Sequence, residues 1–260
     1  MPLPDALLSF WYAAESLAET CLRTPWGVVI TDSRYPTIYD ANHAGLLETA
    51  PDLTLEEIRE TLHPLLRTAG ATHEHIEVMD LSDPSPAADA LRREQQRVTA
   101  DVVMRYEGDG MKPQTDARVE EIASPDDTFW RVYRDTRSEF GDPLSDEVIE
   151  QLVTRDRDVF LPAGLRFFAG ILGGEVAGFT SLIVLGGTAY VDNVVTRPAY
   201  RRRGVASATV TRAIEAAHDG GVETVFLLAD DGGDPQRLYA RLGFRVVARA
   251  MGFTRPLASD

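Results

Sequence analysis

Apolar residues recur along this chain with two different periods, and the switches between them predict its elements. Over residues 4–22, Leu7, Leu8, Trp11, Tyr12, Leu17 and Leu22 fall at three- and four-residue spacings, which predicts an amphipathic helix. The run 26–31, WGVVIT, predicts a buried strand, Arg34-Tyr35-Pro36 a turn, and 37–47 a further strand leading into a loop. Residues 54–66 predict a helix, with Thr54 as N-cap, Glu57 at the capping-box position and Gly70 as its stop. A strand at 75–79, a helix at 86–96 and a strand at 98–106 follow. Residues 107–116 contain glycines, a proline and no apolar period, which marks a linker.

Beyond the linker the pattern predicts a strand at 118–123 and helices at 126–140 and 146–160, the second capped by Ser145. Residues 165–172 and 176–185 read as a hairpin across Gly173-Gly174, and 188–196 as the next strand. The helix predicted at 204–218 gathers Val205, Val210, Ala213, Ile214 and Ala217 on or near one face and stops at Gly220-Gly221. The continuous apolar run 222–229 suits a sheet interior. Asp234-Pro235 opens a short helix at 236–242, Gly243 ends it, and 244–253 is the last strand or pair of strands.

Strand, helix, strand, helix, strand thus occurs in both halves. Tyr39-Asp40-Ala41-Asn42 can be laid on Tyr190-Val191-Asp192-Asn193, and 75–79 then falls near 222–229. The halves differ most where Arg201 to Ala206 should echo. There the first half has Ala50-Pro51-Asp52-Leu53-Thr54-Leu55, without glycine and followed by Glu56 and Glu57.

That difference bears on chemistry. A strand feeding a glycine-containing turn at a helix start leaves backbone N–H groups aimed outward, with the positive end of the helix dipole behind them. Arg201-Arg202-Arg203-Gly204-Val205-Ala206-Ser207 therefore forms a candidate pyrophosphate cradle, in which Gly204 and Ala206 let the backbone approach an anion. The acidic turn at 50–55 should hold no pyrophosphate.

Composition narrows the field further. A net charge of −15 argues against general nucleic-acid binding, and no apolar run approaches the roughly 20 residues of a membrane span. Residues 1–116 carry net −11 and 117–260 net −4, so the half with the arginine turn is nearer neutrality. Cys21 stands alone, which excludes an internal disulfide and a cysteine-based zinc site. It reads as a small buried apolar residue. His63, His73 and His75 show no metal spacing, His43 reads as a loop histidine and His218 as a helix-terminal cation. No metal is expected, and the protein reads as cytoplasmic.

Four segments resemble the GCN5-related N-acetyltransferase superfamily. Arg201-x-x-Gly204-x-Ala206 is similar to its acetyl-CoA motif, and Glu175-Val176-Ala177-Gly178-Phe179 to the hairpin before its central strand. Asp192 to Pro198 resembles its cofactor-lining strand, and Leu238-Tyr239-Ala240-Arg241-Leu242-Gly243-Phe244 the end of a late helix. The resemblance covers residues 117–255 and reaches 1–106 only through the internal echo. It implies an α/β fold, a mixed twisted sheet flanked by helices, in tandem pseudo-repeat. Residues 1–106 would be a truncated domain without the cofactor motif, 107–116 a linker and 117–260 the catalytic domain.

The resemblance also implies roles. Acetyl-CoA would lie against Val194, Val195 and Thr196, with its pyrophosphate on the turn from Arg201 through Arg202, Arg203, Gly204, Val205 and Ala206 to Ser207. Main-chain groups of Val194 and Thr196 would pair with the pantetheine arm, and the Val194 amide would face the thioester oxygen. Tyr239 falls where the family places a general acid, although a helix tyrosine can equally be a packing residue. Asp192, two residues before Val194 and so expected on the same strand face, is either a general base or a structural carboxylate; Asn193 should point the other way. Asp230 and Asp231 either recognise a cationic substrate or simply start a loop. The expected reaction is acetyl transfer to a primary amine of a small cationic molecule, by a monomer or weak homodimer. Acetylation of a peptide or protein, and a non-catalytic acyl-CoA-binding module, are the alternatives.

Overall fold

The computed structural model describes residues 3–79, 85–94, 97–137 and 144–257. The chain divides into two units, of which the first is Met1–Val103 with Ala229–Gly233 and Val246–Asp260, and the second Met104–Leu228 with Asp234–Arg245. This division departs from the boundary expected at 107–116. The last strand begins in the second unit and continues into the first, because its later residues pair with a strand of the first unit.

The first unit contains α1 (Asp5–Glu15), β1 (Thr20–Thr24), β2 (Gly27–Thr31), β3 (His43–Leu46), α2 (Leu55–Ala69), β4 (His73–Val78), α3 (Pro86–Arg93) and most of β5 (Arg97–Tyr106). It also holds most of β11 (Phe244–Pro256), and its strand order is β1-β2-β3-β4-β11-β5. β1, β2 and β3 pair antiparallel, while β3 and β4 are parallel and are joined by α2. The neighbour of β4 is therefore β11, which runs antiparallel with Phe253 opposite Ile76, and not β5, the next strand in sequence.

α2 forms as its sequence dictates. The Thr54 hydroxyl accepts from the Glu57 amide, the Glu57 carboxylate accepts from the Thr54 amide, and Gly70 closes the helix at φ 69°. Leu55, Ile58, Leu62 and Leu66 lie buried against Val29, Leu46, Ile76 and Phe253. Each such side chain contributes roughly 1.5–3 kcal/mol by leaving water.

Three expectations fail in this unit. The first helix stops at Glu15, and Cys21 sits half-buried in β1, where residues 20–22 follow strand rather than helix geometry. Residues Tyr39–Ala41 form a 3-10 turn before β3, so their proposed alignment with the middle of a strand is out of register. His43 begins β3 and is only 3% exposed, and so is no loop histidine.

The second unit contains β6 (Arg118–Ile122), α4 (Asp127–Asp135), α5 (Asp146–Arg155) followed by a π-turn at Asp156–Phe160, β7 (Arg166–Leu172), β8 (Glu175–Leu185) and β9 (Thr188–Thr196). α6 (Val205–Asp219), most of β10 (Val225–Asp230) and α7 (Asp234–Arg241) complete it, with strand order β6-β7-β8-β9-β10. β6 to β9 are antiparallel, β9 and β10 parallel, and α6 makes the crossover between them. The predicted helix 126–140 ends at Asp135, and its last three residues lie outside the described residues, as do Gln95 and Gln96 of the helix predicted at 86–96.

The linker expectation also fails. The Glu107 amide donates to the Gly243 carbonyl and the Met111 amide to that of Arg241. Gly110 leaves no room for a β-carbon against the Leu242 carbonyl, nor Gly204 against that of Gln114. Residues 107–115 thus run as a strap, fixed at one end to α7 and at the other to the start of α6. No described helix is long and apolar enough to cross a membrane.

Candidate active site

Two glycines place α6. Gly170 and Gly178 face each other across β7 and β8, and a β-carbon on either would come within 2.8 Å and 3.1 Å, respectively, of Val205 Cγ1. The first residue of α6 therefore packs directly on the sheet backbone. Further along, the hydroxyls of Thr180 and Thr209 share a buried hydrogen bond of 2.8 Å. Ahead of the helix, Arg202 (φ 61°) and Gly204 (φ 75°) are both left-handed, which turns the chain sharply from β9 into α6.

The resulting helix start is open. No side chain caps it, its first turn holds no acidic residue, and the first intrahelical bond runs from the Ala208 amide to the Gly204 carbonyl. The amides of Val205, Ala206 and Ser207 precede that bond, at the positive end of the dipole. The matching start of α2 is closed by the Thr54–Glu57 capping box, with Glu56 beside it. An anion is accommodated at the first start and opposed at the second.

β9 supplies the facing wall. Its pairing with β10 joins Ala189 to Val225 and Tyr190 to Phe226, at the beginnings of both strands, so Val194 to Thr196 lie beyond it. The cleft there measures about 540 Å³. It is lined by Val194, Val195 and Thr196 of β9, by Arg201, Arg202, Gly204, Val205, Ala206 and Ser207 at the turn, and by Tyr239. These are the residues singled out in the sequence, and the fold brings them together. Asp234, Pro235, Leu238 and Arg241 also line it. Their spacing on α7 follows from the same helical period that carries Tyr239, a signal the motif alone does not extend to them.

Four expected residues stand elsewhere. Arg203 does not line the cleft, and its guanidinium lies 5.9 Å from the Tyr200 ring centroid. Asp192 is exposed and also outside the lining. β9 carries a bulge next to it: Phe179 faces Val195 and Ser181 faces Asp192, so Asn193 and Val194 together oppose Thr180. Asn193 has φ 51°, yet exposure still alternates through it, with Val191, Asn193 and Val195 buried and Asp192, Val194 and Thr196 not. Asn193 itself is buried, as expected.

Asp230 and Asp231 belong to the first unit, where the Asp231 carboxylate accepts from Arg249 at 3.2 Å. With Asp40, Glu77 and Asp101 they form an acidic group that sequence order does not reveal. Burial, and then the charges of Asp230, Glu77, Asp40 and Asp231, push Asp101 up to about 6. Burial favours protonation of Glu77, but the His75 hydrogen bond and the charges of His43 and His75 outweigh it and hold the carboxyl down to about 2. Burial alone would lower His43, yet Glu15, 3.5 Å from its Nε2, together with Glu77 and Asp40, raises it to about 9. Contrary to the sequence reading of His75, candidate ligand atoms of Asp40, His75 and Glu77 all lie within 4.8 Å of one another.

Comparisons with known proteins agree with this architecture. Residues 127–244 match the model of the acetyltransferase (GNAT) family. A GCN5-related N-acetyltransferase from Kribbella flavida superposes with a TM-score of 0.70 at 16% identity, over 99% of this chain and 97% of that one. A functionally unknown conserved protein from Staphylococcus epidermidis gives 0.72 at 12% identity, over 91% and 93%. A tandem GNAT protein from the clavulanic acid biosynthesis pathway gives 0.55 at 18% identity, over 79% and 70%. No curated protein matches the sequence. At these identities the structural likeness speaks to the fold, and the family match to residues 127–244. Residues 127–244 are therefore similar to the acetyltransferase (GNAT) family, and the chain shares the fold of these solved structures.

Proposed function

We propose that the protein transfers an acetyl group from acetyl-CoA to the primary amine of a small cationic molecule, and that it has one cofactor site per chain. The observation that carries this reading is the single cleft shared by the bare start of α6, the segment Val194 to Thr196 and Tyr239. When bound, acetyl-CoA supplies an activated thioester. The amides of Val205 to Ser207 hold its pyrophosphate, with Arg201 and Arg202 at the rim. Main-chain groups of Val194 and Thr196 grip the pantetheine arm as an added strand.

The Val194 amide donates to the thioester oxygen, where negative charge grows as the amine attacks. The Tyr239 hydroxyl would deliver a proton to the departing thiolate sulfur and would be reprotonated through water by the proton that the attacking amine loses. Asp192, outside the cleft lining, is given no part in this scheme. The net charge of −15 favours a cationic acceptor. Thiol release measured with acetyl-CoA and a panel of di- and polyamines, amino acids and peptides tests the reading. Turnover with small cationic amines supports it. Turnover with peptides alone would move the acceptor class, and tight acetyl-CoA binding without turnover on any amine would make the protein a binding module.

A further inference from the structure

The bulge in β9 is held by side chains from three other parts of the second unit. The Asn193 carboxamide oxygen accepts from Arg137 Nη2 at 2.8 Å, and its nitrogen donates to Ser181 Oγ at 3.0 Å. Asp156 Oδ2 lies 3.5 Å from both that nitrogen and the guanidinium. Arg137 is 9% exposed, and its guanidinium sits 4.0 Å from the centroid of the Tyr133 ring, whose hydroxyl donates to Asp156. Tyr133 is packed in turn on Phe179, with ring centroids 5.3 Å apart.

This is a demanding arrangement for a single strand residue. Burying a guanidinium is unfavourable unless it is paired and hydrogen-bonded, and Arg137 faces Asp156 at 3.5 Å. One of its hydrogen bonds goes to the neutral side chain of the one β9 residue with positive φ. Asparagine tolerates that conformation, but tolerance alone does not select it over a regular strand. The peptide plane joining Asn193 to Val194 carries the Val194 N–H, and its direction is set by the backbone torsions of Asn193. Fixing the Asn193 side chain at both ends therefore fixes where that N–H points.

We propose that Arg137 and Asn193 are positioning residues, which clamp the β9 bulge so that the Val194 amide meets the thioester oxygen. This rests on the reading of Val194 as the oxyanion donor. Neither residue touches the cofactor. They act on the thioester and leave the pyrophosphate grip at α6 alone, so their loss separates two affinities that a general structural defect would lower together.

The test is calorimetric titration of the full chain with acetyl-CoA and, separately, with CoA. One hydrogen bond to the thioester, about 1 kcal/mol, makes the wild type bind acetyl-CoA about fivefold more tightly than CoA. Asn193→Gly keeps the positive φ and removes the clamp; the ratio should fall toward one with CoA affinity unchanged. Ser181→Ala, which deletes one hydroxyl, keeps the test available if the first variant folds poorly, and should move the ratio the same way. The carbonyl resonance of bound [1-13C]acetyl-CoA should shift back toward its free position in both. A wild-type ratio and carbonyl shift in either folded variant would overturn the clamp. A wild type that binds both ligands equally would overturn the role of Val194, and one that binds neither would overturn the cofactor assignment itself.

Discussion

Gly204 is packed against the carbonyl oxygen of Gln114, where a β-carbon would intrude and would also stand 3.0 Å from the Thr115 β-carbon. This glycine is required by the strap behind the turn and by its own φ of 75°, not only by a ligand in front of it. Gly204→Ala should therefore lower stability by more than about 1 kcal/mol as well as weakening acetyl-CoA binding. Denaturant midpoints and titration calorimetry on the same preparation check both. An unchanged midpoint would show that the strap yields.

Tyr239 is buried to 6% exposure, lines the cleft and lies edge-on to Phe244 at 6.1 Å. Tyr239→Phe retains that packing and removes only the hydroxyl. Turnover with the best acceptor should drop about 10²-fold while acetyl-CoA affinity stays the same. Normal turnover would reduce Tyr239 to a packing residue.

Glu74 ties the last strand to the first unit. Its fully buried carboxylate accepts from Arg59 at 2.9 Å and 3.0 Å and from Arg255 at 2.8 Å and 3.0 Å, and is bonded to His63. Burial pushes its carboxyl up, but the bonds from Arg59, His63 and Arg255 outweigh this and hold it below the usual range. The folded value is thus below the unfolded one, near 4.3. The stabilisation is complete above that pH and is lost as pH falls through the folded value. Glu74→Gln should cost about 3 kcal/mol at pH 7, and the gap in melting temperature from wild type should narrow as the pH falls below about 4.3. A gap that does not vary with pH would mean the charge is immaterial.

Much of the second unit was legible in the sequence because local rules and tertiary packing agree there. β9 spans the residues expected, and the α6 turn and Tyr239 meet in one cleft, since strand, glycine turn and helix are consecutive in the chain. What escaped depended on contacts distant in sequence. The exchange that sets β11 beside β4 has no local signature, because β5 and β11 are equally plausible strands. The bulge at Asn193 escaped as well, since the strand alternates buried and open positions throughout and nothing local marks its extra residue. The strap looked like a linker because glycine-rich sequence marks both free chain and chain packed too closely for side chains.

The most direct measurement of the central claim is the stoichiometry of acetyl-CoA binding, with Ala206→Glu as its control. Ala206 lines the cleft in the first turn of α6, where a carboxylate is favourable to the helix by about 0.3–1 kcal/mol but opposes a pyrophosphate. The wild type should bind one acetyl-CoA per chain, and Ala206→Glu should melt at or above the wild-type temperature while losing at least about tenfold in affinity, or about 1.4 kcal/mol. Two sites per chain, or an affinity untouched by the glutamate, would contradict a single cofactor site at the start of α6.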